Sequence, residues 1–217
     1  MGAAERTPAG NGRPLGLLLD YGGVLTTSVL GSFESFCQRE GLARSRLVDL
    51  LRCDRGAREA VVALEVGDLG EAEFEGRMAA LLGVRAEGLL SRLMCDATPD
   101  LEMRGAVRAA RRQGVRTGLV SNSWGSSRYP RAELMELFHG IVISGEVGVR
   151  KPSRAIYELG ARSVGLSPEQ CVFVDDLPVN VEAAQALGMA AVHHHDTAGT
   201  ISELERLLGI PLANGRP

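Results

Sequence analysis

The 217-residue sequence contains few aromatic residues: one Trp, three Tyr and five Phe make up 4% of the chain. Any hydrophobic core must therefore be built mainly from Leu, Val and Ala. The apolar fraction of 45% and the charged fraction of 24% are ordinary for a globular protein. The length suits one domain with a modest insertion.

The sequence also lacks the marks of three other protein classes. No stretch approaches the roughly 20 consecutive apolar residues that cross a membrane, and residues 1–13 lack the apolar segment of a signal peptide. The net charge of −3 is unlike the basic excess of a nucleic-acid-binding domain. The four cysteines show no CxxC and no metal-ligand spacing. We therefore expect reduced thiols, a cytoplasmic location, and neither nucleic-acid nor membrane partners.

Short apolar runs alternate with helical patterns along most of the chain. The apolar runs predict strands at residues 17–19, 115–120, 141–143, 171–174 and 190–192. Helical periodicity predicts helices at residues 101–113, 153–163, 180–187 and 201–208. This alternation is typical of βαβ units. It predicts an α/β fold with a doubly wound, Rossmann-like parallel sheet.

Residues 28–96 interrupt the alternation, because they show helical patterns only. The predicted helices there are 33–40, 44–52, 55–65, 71–82 and 85–95. We expect an all-helical cap, inserted after the first strand into a catalytic core of residues 14–27 and 97–209. Such a cap helps to exclude water and to select substrates. Residues 1–13 are expected to form a disordered tail and residues 210–217 a C-terminal tail.

Polar residues follow three of the predicted strands. In chain order they are Asp20 with Gly22 and Gly23, then Ser121 with Asn122, then Asp175 with Asp176. Ligands of open parallel sheets bind at the carboxyl ends of the strands, near a topological switch point. We therefore expect these three groups to converge on one crevice.

Three candidate residues, Asp20, Ser121 and also Lys151 before Pro152, have ordinary structural roles as alternatives. Asp20 could form an Asx turn, Ser121 could cap the following helix, and Lys151 could be a solvated surface residue. The adjacent Asp175 and Asp176 are harder to explain in that way, because they repel each other and need a cation. Mg²⁺, which prefers oxygen ligands, fits that demand.

Four short motifs resemble, in order, those of the haloacid dehalogenase superfamily. They are D-Y-G-G-V at 20–24, S-N at 121–122, K-P at 151–152 and D-D at 175–176. The resemblance covers residues 15 to about 209. The sequence is most similar to the amino-terminal phosphatases of epoxide hydrolases and to bacterial sugar-1-phosphate phosphatases, through residues 147–152, 175–180 and 65–69.

The resemblance implies a Mg²⁺-dependent phosphatase acting on a small phosphorylated molecule. We expect a monomer or a homodimer, because apolar helix faces of the cap could support a dimer. Asp20 would form an aspartyl-phosphate, Ser121 would hold the phosphoryl group, Lys151 would neutralise charge, and Asp175 would orient Lys151 or a metal-bound water. The metal ligands would be Asp20, the Gly22 backbone carbonyl and Asp176. Substrate contacts would come from Gly23, Asn122 and Asn180, and Asn180 would also support the Asp175 loop.

One position departs from the family pattern. Most phosphatases of the superfamily carry a second Asp two residues after the nucleophile, as general acid and base, and here that position is Gly22. General acid catalysis contributes typically about 10²–10⁴-fold. We therefore expect a preference for good leaving groups, such as anomeric or acyl phosphates, unless a cap residue or water supplies the proton. Two alternatives stay open: a dehalogenase, and a catalytically weak phosphate- or sugar-phosphate-binding protein.

The run His193-His194-His195-Asp196 suggests a second metal site. Its three imidazoles follow a short strand and would point in alternating directions. We interpret the run as a loop leading to the last helix.

Overall fold

The computed structural model describes residues 14–125 and 129–212. Within them, five strands form one sheet: β1 (Gly16–Leu19), β2 (Arg116–Ser121), β3 (Gly140–Ile143), β4 (Cys171–Asp175) and β5 (Ala190–His193). The strand order is β3-β2-β1-β4-β5, and every neighbouring pair is parallel. The predicted doubly wound α/β fold is thus confirmed. Successive strands are added on one side of β1 up to β3, and then on its other side from β4 to β5. The topological switch point therefore lies between β1 and β4.

The helices of the described residues occupy the segments between and after these strands. They are α1 (Val29–Arg39), α2 (Arg46–Cys53), α3 (Arg55–Val66), α4 (Glu71–Leu82), α5 (Leu89–Met94), α6 (Leu101–Arg112), α7 (Arg131–Leu137), α8 (Ser144–Val147), α9 (Arg154–Ser163), α10 (Pro178–Gln185) and α11 (Thr197–Leu208), with a 3₁₀ turn at Pro168–Gln170. The sequence did not predict α7 and α8, because seven and four residues are too few to show a helical period.

Two helices begin four residues earlier than the sequence predicted, because side-chain caps start them. The Ser28 hydroxyl accepts a hydrogen bond from the Gly31 N–H at 3.2 Å and starts α1 at residue 29. The Asp196 carboxylate accepts one from the Gly199 N–H at 2.8 Å and starts α11 at residue 197. Capping of this kind satisfies N–H groups that have no partner within the helix.

The sheet is covered by helices on both faces. Leu17 and Leu19 of β1 lie in one hydrophobic cluster, to which α6 and α11 contribute. Leu18 lies in the opposite cluster, with residues of α9 and α10. Successive residues of a strand point to opposite faces, so a strand buried on both sides is apolar throughout. This is why β1 has no alternation of polar and apolar residues.

Helices α1 to α5, here called the helical insertion (residues 29–94), have a hydrophobic cluster of their own, with Phe33, Phe36 and Phe74 buried in it. The two chain segments that connect the insertion to the sheet lie side by side. The Thr27 N–H donates to the Thr98 carbonyl at 2.8 Å, and the Asp100 N–H donates to the Leu25 carbonyl at 2.9 Å. The assignment of residues 28–96 as a separate cap domain stays a prediction.

The last described residues pack against the sheet layer. Leu212 is buried, and its N–H donates to Glu205 Oε1 at 2.7 Å. The first residues of the predicted C-terminal tail are therefore part of the packed structure. The predicted N-terminal tail, residues 1–13, and residues 213–217 lie outside the described residues.

The four cysteines are free thiols in the structure. Cys37 and Cys171 are buried, whereas Cys53 and Cys95 are exposed. Among the helices of residues 14–125 and 129–212, none combines the length and apolar character that crossing a membrane requires.

Candidate active site

Three carboxylates meet at the carboxyl ends of β1 and β4. Asp20 directly follows β1, and its N–H extends the ladder by donating to the Val174 carbonyl at 2.9 Å. Asp175 is the last residue of β4, and Asp176 follows it. Ligand atoms of Asp20, Asp175 and Asp176 all lie within 4.8 Å of one another. The predicted convergence at the switch point is thus present in the structure.

Lys151 links two of these carboxylates. Its Nζ lies 2.8 Å from Asp20 Oδ1 and 2.6 Å from Asp175 Oδ2, and the side chain is fully buried. Burial alone lowers the pKa of this ammonium group, but the two carboxylates outweigh that effect and raise the pKa above its ordinary value. Lys151 therefore stays charged and is no solvated surface residue.

Asp20 and Asp176 ionise less readily than ordinary carboxyl groups. Burial, with the charges of Asp175 and Asp176, raises the pKa of Asp20 to about 7 although Lys151 acts in the opposite direction. Burial and the Asp175 charge raise the pKa of Asp176 to about 6. A cation placed among these groups would favour their charged forms.

This set of donors fits a divalent cation with oxygen ligands. The three carboxylates and one ammonium leave a net negative charge when all are ionised, and the carboxylates already lie close enough to share one ion. The backbone also leaves room near Asp176, because a Cβ on Gly23 would lie only 2.3 Å from Asp176 Oδ2. Asp20 and Asp176, the ligands implied by the resemblance, are both available for Mg²⁺.

The Asp175 carboxylate is held on both oxygens. Oδ1 accepts hydrogen bonds from the Leu177 N–H and from Asn180 Nδ2, each at 2.9 Å, and Oδ2 faces Lys151. Asn180 is itself buried, and its carbonyl accepts a hydrogen bond from the Tyr157 hydroxyl at 3.0 Å. Its side chain therefore supports the Asp175 loop, a geometry that disfavours the substrate contact implied by the resemblance.

Asn122 is committed in the same way. Its Oδ1 accepts the Lys151 N–H at 2.8 Å, and its Nδ2 donates to the Lys151 carbonyl at 3.2 Å. Both ends of the amide are thus occupied by the backbone of the lysine. We treat Asn122 as a residue that positions Lys151 instead of one that contacts substrate.

Ser121, the last residue of β2, shares a hydrogen bond with a residue that the sequence analysis did not identify. Its Oγ lies 2.9 Å from the Tyr129 hydroxyl, and both side chains are buried. Burial raises the pKa of Tyr129 above its ordinary value, so this phenol stays protonated. The Tyr129 ring packs against Tyr21 with 5.0 Å between centroids. The two hydroxyls form a pair of neutral donors at the end of β2.

The sequence also matches a known protein family over the part of the chain that carries this site. The family model for haloacid dehalogenase-like hydrolases matches residues 16–188, which include every site residue described so far. The chain belongs to this family. The resemblance of its four motifs is therefore confirmed.

This haloacid dehalogenase-like hydrolase spans only part of the length of the relatives that it matches. It is 35% identical to the sesquiterpene phosphatase of Aspergillus oryzae over 51% of this chain and 58% of that protein. It is 30% identical to bifunctional epoxide hydrolase 2 of Mus musculus over 56% of this chain and 23% of that protein.

The solved structures show the same fold. An enzyme of this family from Bacteroides thetaiotaomicron, solved as a magnesium complex, is 19% identical with a TM-score of 0.65, and the match covers 90% of this chain and 100% of that one. At 19% sequence identity, this similarity shows a shared fold and nothing more.

In this hydrolase, Val29 occupies the space that a side chain at position 22 would need. Gly22 has a φ angle outside the left-handed region, so its backbone would accept a side chain. A Cβ built there would, however, lie 2.8 Å from Cγ2 of Val29, at the start of α1. The Gly22 carbonyl remains a predicted metal ligand. The Gly23 N–H, near the predicted substrate contact, donates to Thr26 Oγ1 at 3.2 Å.

Glu65 joins the helical insertion to the lysine loop. Its buried carboxylate pairs with Arg150, the neighbour of Lys151, and its backbone carbonyl accepts a hydrogen bond from the Ser144 hydroxyl. Burial raises the pKa of Glu65 although Arg150 acts in the opposite direction. Residues 65–69 carry part of the family resemblance, but nothing in the sequence pairs Glu65 with Arg150.

Trp124 is the second aromatic residue that the sequence analysis missed. Its ring packs against Phe33 at 5.1 Å and Phe74 at 5.9 Å, both in the helical insertion. It also lines a cavity of about 350 Å³ that starts at Tyr21 and Ser121 and extends to α5. The sequence did indicate that Trp124 lies near the site, because the only Trp of this aromatic-poor chain follows Ser121 by three residues.

The histidine run lies at the edge of the site. His193 is the last residue of β5, and its Nε2 lies 3.0 Å from the Asp176 carbonyl oxygen. His194 Nδ1 lies 2.9 Å from Thr200 Oγ1. In the described part of the chain, Asp20, Asp175 and Asp176 form the group whose side chains lie close enough together to hold a metal ion.

Proposed function

We propose that the protein is a Mg²⁺-dependent phosphatase that hydrolyses a small phosphate monoester through a covalent aspartyl-phosphate on Asp20. The observation that carries this proposal is the position of the buried Lys151 between Asp20 and Asp175, beside a third carboxylate. Family membership supports hydrolysis. The phosphatases named among its relatives, from Aspergillus oryzae and, at 37% identity over 36% of this chain and 33% of that protein, from Methanopyrus kandleri, support a phosphate ester as substrate.

In the first step a carboxylate oxygen of Asp20 attacks phosphorus, and the bond between phosphorus and the alcohol oxygen breaks. Two like charges about 4 Å apart repel by roughly 4 kcal/mol at an effective dielectric of 20. The Lys151 ammonium, held by Asp175 and Asn122, offsets part of that repulsion. The Ser121 and Tyr129 hydroxyls, which are paired at the end of β2, would donate to a phosphoryl oxygen. Positioning and charge stabilisation of this kind dominate phosphoryl transfer.

In the second step water attacks the phosphorus of the aspartyl-phosphate, which releases inorganic phosphate and restores the Asp20 carboxylate. Mg²⁺, held by Asp20, Asp176 and the Gly22 carbonyl, would supply the remaining charge neutralisation for both steps. Since Gly22 carries no acid, the proton taken up by the departing alkoxide comes from water. Esters with good leaving groups should therefore react fastest.

The first experiment measures phosphate release from p-nitrophenyl phosphate with Mg²⁺ and with EDTA. We expect Mg²⁺-dependent turnover that Asp20→Asn lowers at least about 10³-fold, because the nucleophile is lost. Asp49→Asn, which changes an exposed carboxylate of α2, is the matched control and should leave turnover unchanged. Quenched wild-type protein should carry one phosphoryl group on the peptide that contains Asp20.

Three results would contradict the proposal. Undiminished turnover by Asp20→Asn would remove the covalent mechanism. Release of halide from 2-haloacids without Mg²⁺, in place of phosphate release, would favour the dehalogenase alternative. Phosphate binding without any turnover would favour a catalytically weak binding protein.

A further inference from the structure

In the part of the chain that the structure describes, the 350 Å³ cavity beside the proposed nucleophile is lined by uncharged residues. Among its described lining residues there is no Asp, Glu, Lys, Arg or His. The apolar part of the lining includes Val29, Met94, Cys95, Ala97 and Trp124. A cavity of this volume lies at the small end of the range that holds small organic ligands.

The polar side chains that line the cavity already have partners within the protein. Thr26 Oγ1 accepts the Gly23 N–H at 3.2 Å and lies 3.0 Å from the Thr27 carbonyl, to which it donates. Asn122 uses both ends of its amide on the backbone of Lys151.

The remaining hydroxyls follow the same rule. Ser121 and Tyr129 lie 2.9 Å apart and share one hydrogen bond. Ser91, on α5, is not without a partner either. The Tyr21 hydroxyl accepts a hydrogen bond from Arg104 Nη2 at 3.5 Å. The polar side chains of the lining therefore offer little to an incoming ligand beyond the hydroxyls of Tyr21, Ser121 and Tyr129.

These two observations determine which alcohol the cavity favours. A sugar would exchange the hydrogen bonds that its hydroxyls make with water for contacts with groups that are already bonded, and such an exchange is unfavourable. A hydrocarbon loses no hydrogen bond on entry and removes apolar surface from water. The cavity thus discriminates against polyhydroxylated leaving groups.

We propose that this cavity takes the hydrocarbon part of an alkyl or aryl phosphate monoester and selects it over a sugar phosphate. The proposal rests on the proposed function for the phosphate end, since Tyr21 and Gly22, which follow Asp20 in the chain, line the cavity. It departs from the sugar-1-phosphate phosphatases that the motifs resemble.

The kinetic test uses n-alkyl phosphates from methyl to hexyl with Mg²⁺. These alcohols are similar leaving groups, so the series isolates the contribution of the chain. We expect kcat/KM to rise by about fourfold for each added methylene until the cavity is filled. Glucose 1-phosphate should fall below hexyl phosphate although its leaving group is better. A flat series, or a preference for glucose 1-phosphate, would overturn the proposal.

A pair of variants assigns the effect to the cavity wall. Met94→Gln places an amide of similar size in the wall and should reduce the gain per methylene. Met135→Gln makes the same change at an exposed position of α7 and should leave the series as in the wild type. Equal behaviour of the two variants would show that the chain binds elsewhere.

A binding measurement separates this proposal from the proposed function. Trp124 is the only Trp of the chain and lines the cavity, so its fluorescence reports occupancy. Alkylphosphonates, which have no ester bond to hydrolyse, should bind more tightly as the chain grows from methyl to hexyl. Tightening without turnover of any ester would uphold the cavity and reject the phosphatase. Turnover with neither tightening nor a rise in kcat/KM would do the reverse.

Discussion

Asn122 binds the backbone of Lys151 through both ends of its side-chain amide. Its Oδ1 accepts the Lys151 N–H at 2.8 Å, and its Nδ2 donates to the Lys151 carbonyl at 3.2 Å. Asn122 follows β2, whereas Lys151 lies in the loop between α8 and α9. This pair of hydrogen bonds therefore fixes the loop that carries the ammonium group against the carboxyl edge of the sheet.

Asn122→Ala should lower kcat strongly, because Lys151 would lose its register against Asp20 and Asp175. Misplacement by about 1 Å can cost about 10²-fold in rate. The control is Gln113→Ala, which removes an exposed amide that donates to the Pro211 carbonyl at 2.6 Å and precedes β2, whereas Asn122 follows that strand. Steady-state kinetics of both variants should show a loss of kcat for Asn122→Ala alone. Equal rates in the two variants would remove Asn122 from the site.

Gly23→Ala should abolish Mg²⁺ binding while the protein stays folded. Gly23 has φ +77°, and a Cβ there would lie 2.3 Å from Asp176 Oδ2, so the carboxylate would have to swing away. Gly41→Ala is the matched control, because Gly41 has φ +71° with no atom near its Cβ. Both variants should lose about 1–2 kcal/mol of stability from the left-handed backbone.

The measurement combines thermal unfolding with Mg²⁺ titration by calorimetry. We expect similar losses of stability in the two variants and a loss of Mg²⁺ affinity in Gly23→Ala only. Wild-type Mg²⁺ affinity in Gly23→Ala would show that Asp176 is not a metal ligand.

Restoring the missing acid should require two substitutions. Gly22→Asp alone would place its Cβ 2.8 Å from Val29 Cγ2. Gly22→Asp with Val29→Ala removes that clash and should raise kcat toward alkyl phosphates by up to about 10²–10⁴-fold, the usual contribution of a general acid. Gly22→Ala with Val29→Ala opens the same space without an acid and should give no gain. A leaving-group series on the two double variants checks the prediction; parallel slopes would count against it.

Without metal, the protein should lose stability as the pH rises, because of Asp20. Its pKa is raised from 3.8 to about 7 in the folded state, so the folded state holds this proton more tightly than the unfolded state does. The resulting stabilisation is complete below pH 3.8 and is lost as the pH approaches 7. Asp20→Asn cannot lose the proton and should be more stable than the wild type at neutral pH.

Denaturant unfolding in EDTA across this pH range tests whether the free energy of unfolding falls as the pH rises. The difference between Asp20→Asn and the wild type should vanish in acid and grow toward neutral pH, and Mg²⁺ should reduce it. A wild-type protein that gains stability relative to the variant as the pH rises would contradict the raised pKa.

The fold was predictable because its signals are local. The runs that became β1 and β4 are apolar throughout, and such runs followed by Asp20 and by Asp175-Asp176 predict buried strands with acids at their carboxyl ends. Parallel pairing then brings those ends to one edge, whatever lies between them in the chain. For the same reason the meeting of Asp20 with Asp175 and Asp176 could be expected without coordinates.

Other parts of the site depend on contacts between distant residues. The sequence offers no sign that the amide of Asn122 bonds the backbone of Lys151, that Tyr129 reaches Ser121, or that Glu65 pairs with Arg150. Asn122 and Asn180 were accordingly expected to contact substrate, whereas the structure commits their amides to the protein. Each of these pairings is decided by which loops the packed helices bring together.

The sequence by itself determined the strand–helix alternation, the family motifs and the acids at the switch point, because strand burial and parallel pairing follow from short patterns of apolar residues. Only the tertiary structure decided that Val29 fills the space beside Gly22 and that Trp124 joins the helical insertion to a cavity whose described lining is uncharged. Those features depend on how the insertion packs against the sheet, and that packing arises from shape complementarity between side chains far apart in the chain, which no local pattern records.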